Sequence, residues 1–144
     1  MSRKLARESV YKLVFEFLFL NEVNQRTFNI LSSIELADSD REYMQRAYFG
    51  VIQKKKEIMQ IIEELSEGFT LERIFKPDLA ALMLAIYEMK YMEDIPLSVS
   101  IAEAVEIVKR YSTDKSNQYV NGVLSTVYKQ LTQEQEKGEE NDHN

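Results

Sequence analysis

Cysteine is absent from this 144-residue sequence, tryptophan is absent too, and histidine occurs once, at His143. Without cysteine there is no disulfide and no thiolate metal site. A single histidine beside the C-terminus leaves no imidazole for acid–base work or metal ligation inside a folded core. Glycine-rich phosphate loops, G-x-S-x-G elbows and H-E-x-x-H pairs are missing as well. No catalytic constellation, no metal and no cofactor are therefore expected. Apolar runs are short, and none approaches the roughly 18 residues of a membrane span. The one near the start, Val14-Phe15-Glu16-Phe17-Leu18-Phe19-Leu20, carries a glutamate and has no small-residue cleavage site after it. A secretory signal is not expected, and the cytoplasm is the expected compartment.

Only two prolines and four glycines interrupt a chain that is 44% hydrophobic and 29% charged. That balance is globular, and the apolar spacing is helical nearly throughout, with no stretch alternating at the period of a strand. The spacing predicts helices over residues 4–20 and 24–34, then a long helical run opened by a capping box, Ser39 with Glu42, and stopped near Gly68. Gly50 inside that run marks a kink or a close approach. Thr70 caps a short turn to Phe75, Pro77 opens a helix ending near Met92, and Ser98 or Ser100 caps the next, which ends near Tyr111. A last helix carries Val120, Val123, Leu124, Val127 and Leu131 on one face. Fold class is thus all-α: one helical domain over residues 1–131, followed by an acidic, disordered tail over 132–144.

The formal charge of −6 argues against nucleic acid until its distribution is considered. Residues 132–144 hold five acids against Lys137, a net of −4, whereas residues 1–12 hold Arg3, Lys4, Arg7 and Lys12 against Glu8. Charges beyond a Debye length of about 8 Å are screened at physiological salt, so a local basic patch can hold phosphates on an acidic protein. Arg3, Lys4 and Arg7 stand at i, i+1 and i+4, which places Arg3 and Arg7 on one helical face. Arginine suits phosphate because its planar fork donates two parallel hydrogen bonds. Weaker candidates are Lys54-Lys55-Lys56, an ordinary surface run, and the pair Glu103 and Glu106, ordinary solvated helix charge.

Four segments taken together resemble the NusB family of bacterial transcription antitermination factors. They are Ala6-Arg7-Glu8 behind Arg3-Lys4; Leu84-Ala85-Ile86-Tyr87-Glu88-Met89; Ile95-Pro96 leading into Ser100-Ile101-Ala102-Glu103-Ala104-Val105-Glu106; and Tyr119-Val120-Asn121-Gly122-Val123-Leu124. Order and spacing match over residues 3–131. The resemblance implies about seven helices in two three-helix subdomains. It implies binding of boxA-type single-stranded RNA together with NusE, a small-ribosomal-subunit protein, and through that pair an indirect link to the RNA polymerase elongation complex, notably on ribosomal RNA operons.

Residue by residue, the resemblance assigns Arg3, Lys4, Arg7 and Lys12 to the basic RNA-binding segment, and Asn121, Gly122 and Ser125 to the RNA side of the last helix. Phe15 and Glu88 resemble positions facing NusE. Each has a plainer reading: tight helix packing for Asn121 and Gly122, core for Phe15, and an ion pair within the fold for Glu88. The chain departs from the family in having a thinner basic opening, Ser125 where aspartate is frequent, Ala102 where asparagine is common, and Phe69 where tryptophan is frequent. The family includes homodimers as well as monomers, so a homodimer is compatible with the sequence. The competing reading is a protein-binding helical scaffold with no RNA affinity of its own.

Overall fold

Helix α5, Lys76–Tyr91, is apolar nearly all round, and such a helix belongs in the middle of a protein. In a computed structural model of the chain, which describes residues 2–34 and 36–142, it does lie there, with Leu79 to Ile86 all buried. Around it are α1 (Ser2–Leu20), α2 (Gln25–Ser32), α3 (Asp38–Gln53), α4 (Lys55–Leu65), a single 3-10 turn (Leu71–Arg73), α6 (Leu97–Tyr111) and α7 (Ser116–Asp142). Helices α1 to α3 form one three-helix group and α5 to α7 the other. They share one continuous core, in which α1 and α3 also lie against α5, and α4 closes the side between α3 and α7.

Local chemistry explains several boundaries. Asn24 caps α2 by accepting from the Thr27 amide at 3.1 Å. Asn21 ends α1 in the left-handed conformation (φ 55°), which asparagine tolerates, and its amide donates to the Phe17 carbonyl. Pro77 and Asp78 stand in the first turn of α5, as expected.

Several sequence expectations give way. Ser39 does not cap α3, because that helix starts one residue earlier, with Asp38 and Asp40 both in its positive first turn. The long run breaks at Lys54 rather than at Gly50. Gly50 serves close packing: a Cβ there would stand 2.1 Å from the Tyr87 ring. Thr70 makes no side-chain cap, and neither Ser98 nor Ser100 caps α6, which is preceded by Pro96. Residues 132–142, expected to be disordered, continue α7. Glutamine, glutamate and lysine are good helix formers, and extending a packed helix avoids the costly nucleation step. His143 and Asn144 lie outside the described residues.

Candidate nucleic-acid interface

Three helical turns of α1 place its four cations in different surroundings. Arg7 is 5% exposed, and its Nε and Nη2 donate to Glu88 Oε2 at 2.9 Å and Oε1 at 3.2 Å. Glu88 is 1% exposed and also accepts from the Tyr43 hydroxyl at 2.5 Å and the Ser100 hydroxyl at 2.9 Å. One carboxylate thereby ties α1, α3, α5 and α6 together. Burial alone would lower the Arg7 pKa, but hydrogen bonds and charge from Glu88 more than reverse this and raise it. Burial first, and then the charge of Glu88, pushes the Tyr43 phenol well above its ordinary range.

Two expectations are corrected here. Arg7 is not presented to solvent as a phosphate ligand, and Glu88 is not presented to a partner. Their donors and acceptors are committed to each other because a charge taken out of water must be paired. The ion pair within the fold, the plainer reading of Glu88, is what the structure contains.

The remaining cations are accessible. Arg3 Nε donates to Asp40 Oδ1 at 2.9 Å, and its guanidinium lies 4.5 Å from the Tyr43 ring centre. Lys4, the most exposed of the four, stands 3.5 Å from Glu103. Lys12 stands 3.7 Å from Glu8 and over the Tyr111 ring. Exposed pairs such as those of Lys4 and Lys12 contribute at most about 1 kcal/mol, so a phosphate can compete for these ammonium groups. Glu8 is itself held below the usual carboxylate range, by the Tyr111 hydroxyl first and by Arg110 and Lys12.

Asn121 and Ser125, one turn apart on α7, line an open groove of about 730 Å³ between α6 and α7. Its α6 wall carries Ile101, Ala102, Val105 and Lys109, and its α7 wall adds Tyr128 and Lys129. Gly122 is exposed, and the space where its Cβ would stand is open, so helix packing does not require glycine there.

Phe15 lies half-buried against the core, its ring edge-on to Phe19 at 4.9 Å. Phe19 is 61% exposed, with Lys76 over its ring, and Phe75, next to Lys76 in the chain, is 54% exposed. Phe15 is thus the inner edge of an apolar, lysine-bordered patch. Sequence reasoning missed Phe19 and Phe75, although the step from Phe15 to Phe19 is one helical turn and signals a shared face.

A model of the NusB family matches residues 2–129. This chain belongs to the NusB family. Transcription antitermination protein NusB of Acetivibrio thermocellus is 41% identical over 130 residues, 90% of each chain. The protein of that name from Natranaerobius thermophilus is 38% identical over 135 residues, 91% of this chain and 97% of its own. Among solved structures, T. maritima NusB matches with a TM-score of 0.80 at 32% identity, covering 90% of this chain and 92% of that one. A NusB solved with NusE in complex with double-stranded RNA has a TM-score of 0.79 at 24% identity, covering 89% and 96%. The all-α fold expected from the sequence is therefore the NusB fold.

Two more observations bear on chemistry within this NusB fold. Among the described residues no group of three or more His, Asp and Glu side chains could hold a metal ion, and no helix is long and apolar enough to cross a membrane. Sequence reasoning also missed the groove residues Lys109, Tyr128 and Lys129. The signal was available in the helical steps from Asn121 through Ser125 to Tyr128 and Lys129, which repeat one face of α7.

Proposed function

We propose that this protein is a cytoplasmic, non-catalytic transcription antitermination factor that binds boxA-type single-stranded RNA together with NusE. The pair promotes processive transcription, notably of ribosomal RNA operons, and reaches the RNA polymerase elongation complex indirectly. Family membership over residues 2–129 carries this reading, since relatives up to 41% identical bear the antitermination name along the whole domain. The accessible cations Arg3, Lys4 and Lys12, spread over the first three turns of α1, supply the phosphate contacts. Phe15 and Phe19, further along α1, belong to the face toward NusE. A NusB of the same fold has been solved with NusE in complex with double-stranded RNA, which supports a joint role of the two proteins on RNA.

The deciding experiment measures binding of a labelled boxA-type RNA and a scrambled control, with and without NusE, across a salt series. Selective binding that strengthens with NusE is expected. Equal binding of both RNAs in either condition would overturn the reading. Burial of Arg7 thins the basic opening and favours one second reading, a scaffold that binds NusE without RNA affinity of its own. NusE capture with no RNA binding in any condition would select it.

A further inference from the structure

The groove between α6 and α7 holds donors and a ring that the fold itself does not use. On α6, Ser98, Ile101, Ala102, Val105 and Lys109 recur at steps of three and four, so they form one face; Asn121, Ser125, Tyr128 and Lys129 do the same on α7. The short connection at residues 112–115 makes the two helices an antiparallel hairpin. Lys109 and Asn121 therefore lie toward the loop end, with Tyr128 and Lys129 toward the other. From Ser98 to Lys109 the wall is about 16 Å long at the helical rise per residue. Tyr128 is 42% exposed, although it sits among apolar neighbours. Neither Lys109 nor Lys129 forms an ion pair among the described residues, whereas Glu106, the acid in the groove, faces Arg110.

Resting on the RNA reading above, we propose that this groove seats an unpaired stretch of the RNA, with a base stacked on Tyr128, its edge read by Asn121 or Ser125, and phosphates held by Lys109 and Lys129. An apolar floor flanked by unpaired lysines fits a nucleic-acid strand: every base offers a π-face, and every phosphate an anion. A partner helix would bury the same floor but would strand two lysines and an exposed amide. Because α1 packs on the opposite flank of α6 through Lys4–Glu103 and Arg110–Glu8, a strand leaving the groove over α6 reaches the cations of α1.

The test uses the full chain with a boxA-type RNA and a set of its variants, each with one abasic nucleotide, in the presence and absence of NusE. Tyr128→Ala is expected to weaken RNA binding about tenfold, and Tyr128→Phe to keep it. One abasic position should weaken the wild type but cost nothing further in Tyr128→Ala. Lys109→Gln and Lys129→Gln should each flatten the log–log salt slope by about 0.7. Tyr128 is exposed, so its truncation leaves the fold intact, and unchanged far-UV circular dichroism verifies this. Wild-type affinity of Tyr128→Ala for selectively bound RNA would overturn the groove assignment while leaving the function standing. Loss of NusE capture with unchanged RNA affinity would make the groove a protein-docking site and overturn it equally. Failure of the wild type to select the RNA would remove both.

Discussion

Arg7 and Glu88, 81 positions apart in the chain, meet in the interior through two parallel charge-assisted hydrogen bonds. The family resemblance points both residues toward outer surfaces, one for RNA and one for a protein partner. Instead the pair fastens the first helix to the central one, and Tyr43 and Ser100 satisfy the remaining lone pairs of the carboxylate from two further helices. The two candidate surfaces are thus linked mechanically. The turn of α1 that displays Arg3 and Lys4 is held in place from beneath.

Breaking this pair on one side should be severe. Glu88→Ala leaves a guanidinium buried without a counter-charge, and removing one partner of such a pair costs about 3–5 kcal/mol. Arg7→Lys keeps the charge but loses the fork, so it should fall between Arg7→Met and wild type. Urea denaturation checks both: the midpoint should drop with the m-value unchanged. A stability loss under about 0.5 kcal/mol for Glu88→Ala would mean that water reaches the pair and that the interior is not closed there.

A second prediction concerns Gly50. Its α-carbon faces the Tyr87 ring so closely that a methyl group would stand 2.1 Å from it. Gly50→Ala removes a weak helix former, which alone should stabilise α3 by roughly 1 kcal/mol. The clash opposes this, and overpacking costs about 1–3 kcal/mol. The net effect expected is destabilisation. In the background Tyr87→Ala, where the ring is gone, the same substitution should become stabilising. A double-mutant cycle measured by thermal unfolding reads this sign change, and additive effects would show that the ring moves aside freely.

Tyr91 supplies the pH test. Its hydroxyl donates to Glu57, which holds the phenol neutral and pushes its pKa from 10.0 up to about 12. A group whose folded pKa is raised contributes stability that is complete below the unfolded value and is lost as pH climbs through the folded one. The contribution of Tyr91 is therefore intact below about pH 10 and gone near pH 12. Phenolate absorbance during alkaline titration should show Tyr91 ionising late. Glu57→Gln should return it toward 10.0, because the carboxylate's hydrogen bond is the largest cause of the shift. Identical titration curves for the two proteins would remove Glu57 as that cause.

Helix order and the all-α class were legible because apolar residues recur at helical steps, and that periodicity survives packing. Lys54 shows what was not legible. Lysine is a good helix former, and nothing local marks it as the break between α3 and α4. Ser100 reads locally as a cap, yet its hydroxyl is drawn into the core by Glu88. Likewise Arg3 and Arg7 share a face by spacing, but spacing does not reveal that the neighbouring helices close over the second turn and leave the first open. Burial is decided by elements 40 to 80 residues away, as the partners of Arg3 and Arg7 demonstrate.

That difference in depth yields the last prediction, which separates two ways an arginine can matter to RNA. Binding of a single strand releases counterions, and each lost phosphate contact should flatten the log–log salt slope by about 0.7. Arg3 is half-exposed, and its single bond to Asp40 can be exchanged, so Arg3→Ala and Lys4→Ala should each lower both affinity and slope. Arg7 never reaches a phosphate while Glu88 holds it. Arg7→Met should therefore lower affinity only as far as it loosens α1, with the slope of the folded fraction unchanged. Measured at a temperature where every variant is folded, a slope reduced in Arg7→Met would mean that the buried pair opens when RNA arrives. An unchanged slope in Arg3→Ala and Lys4→Ala would move the phosphate contacts off α1 altogether.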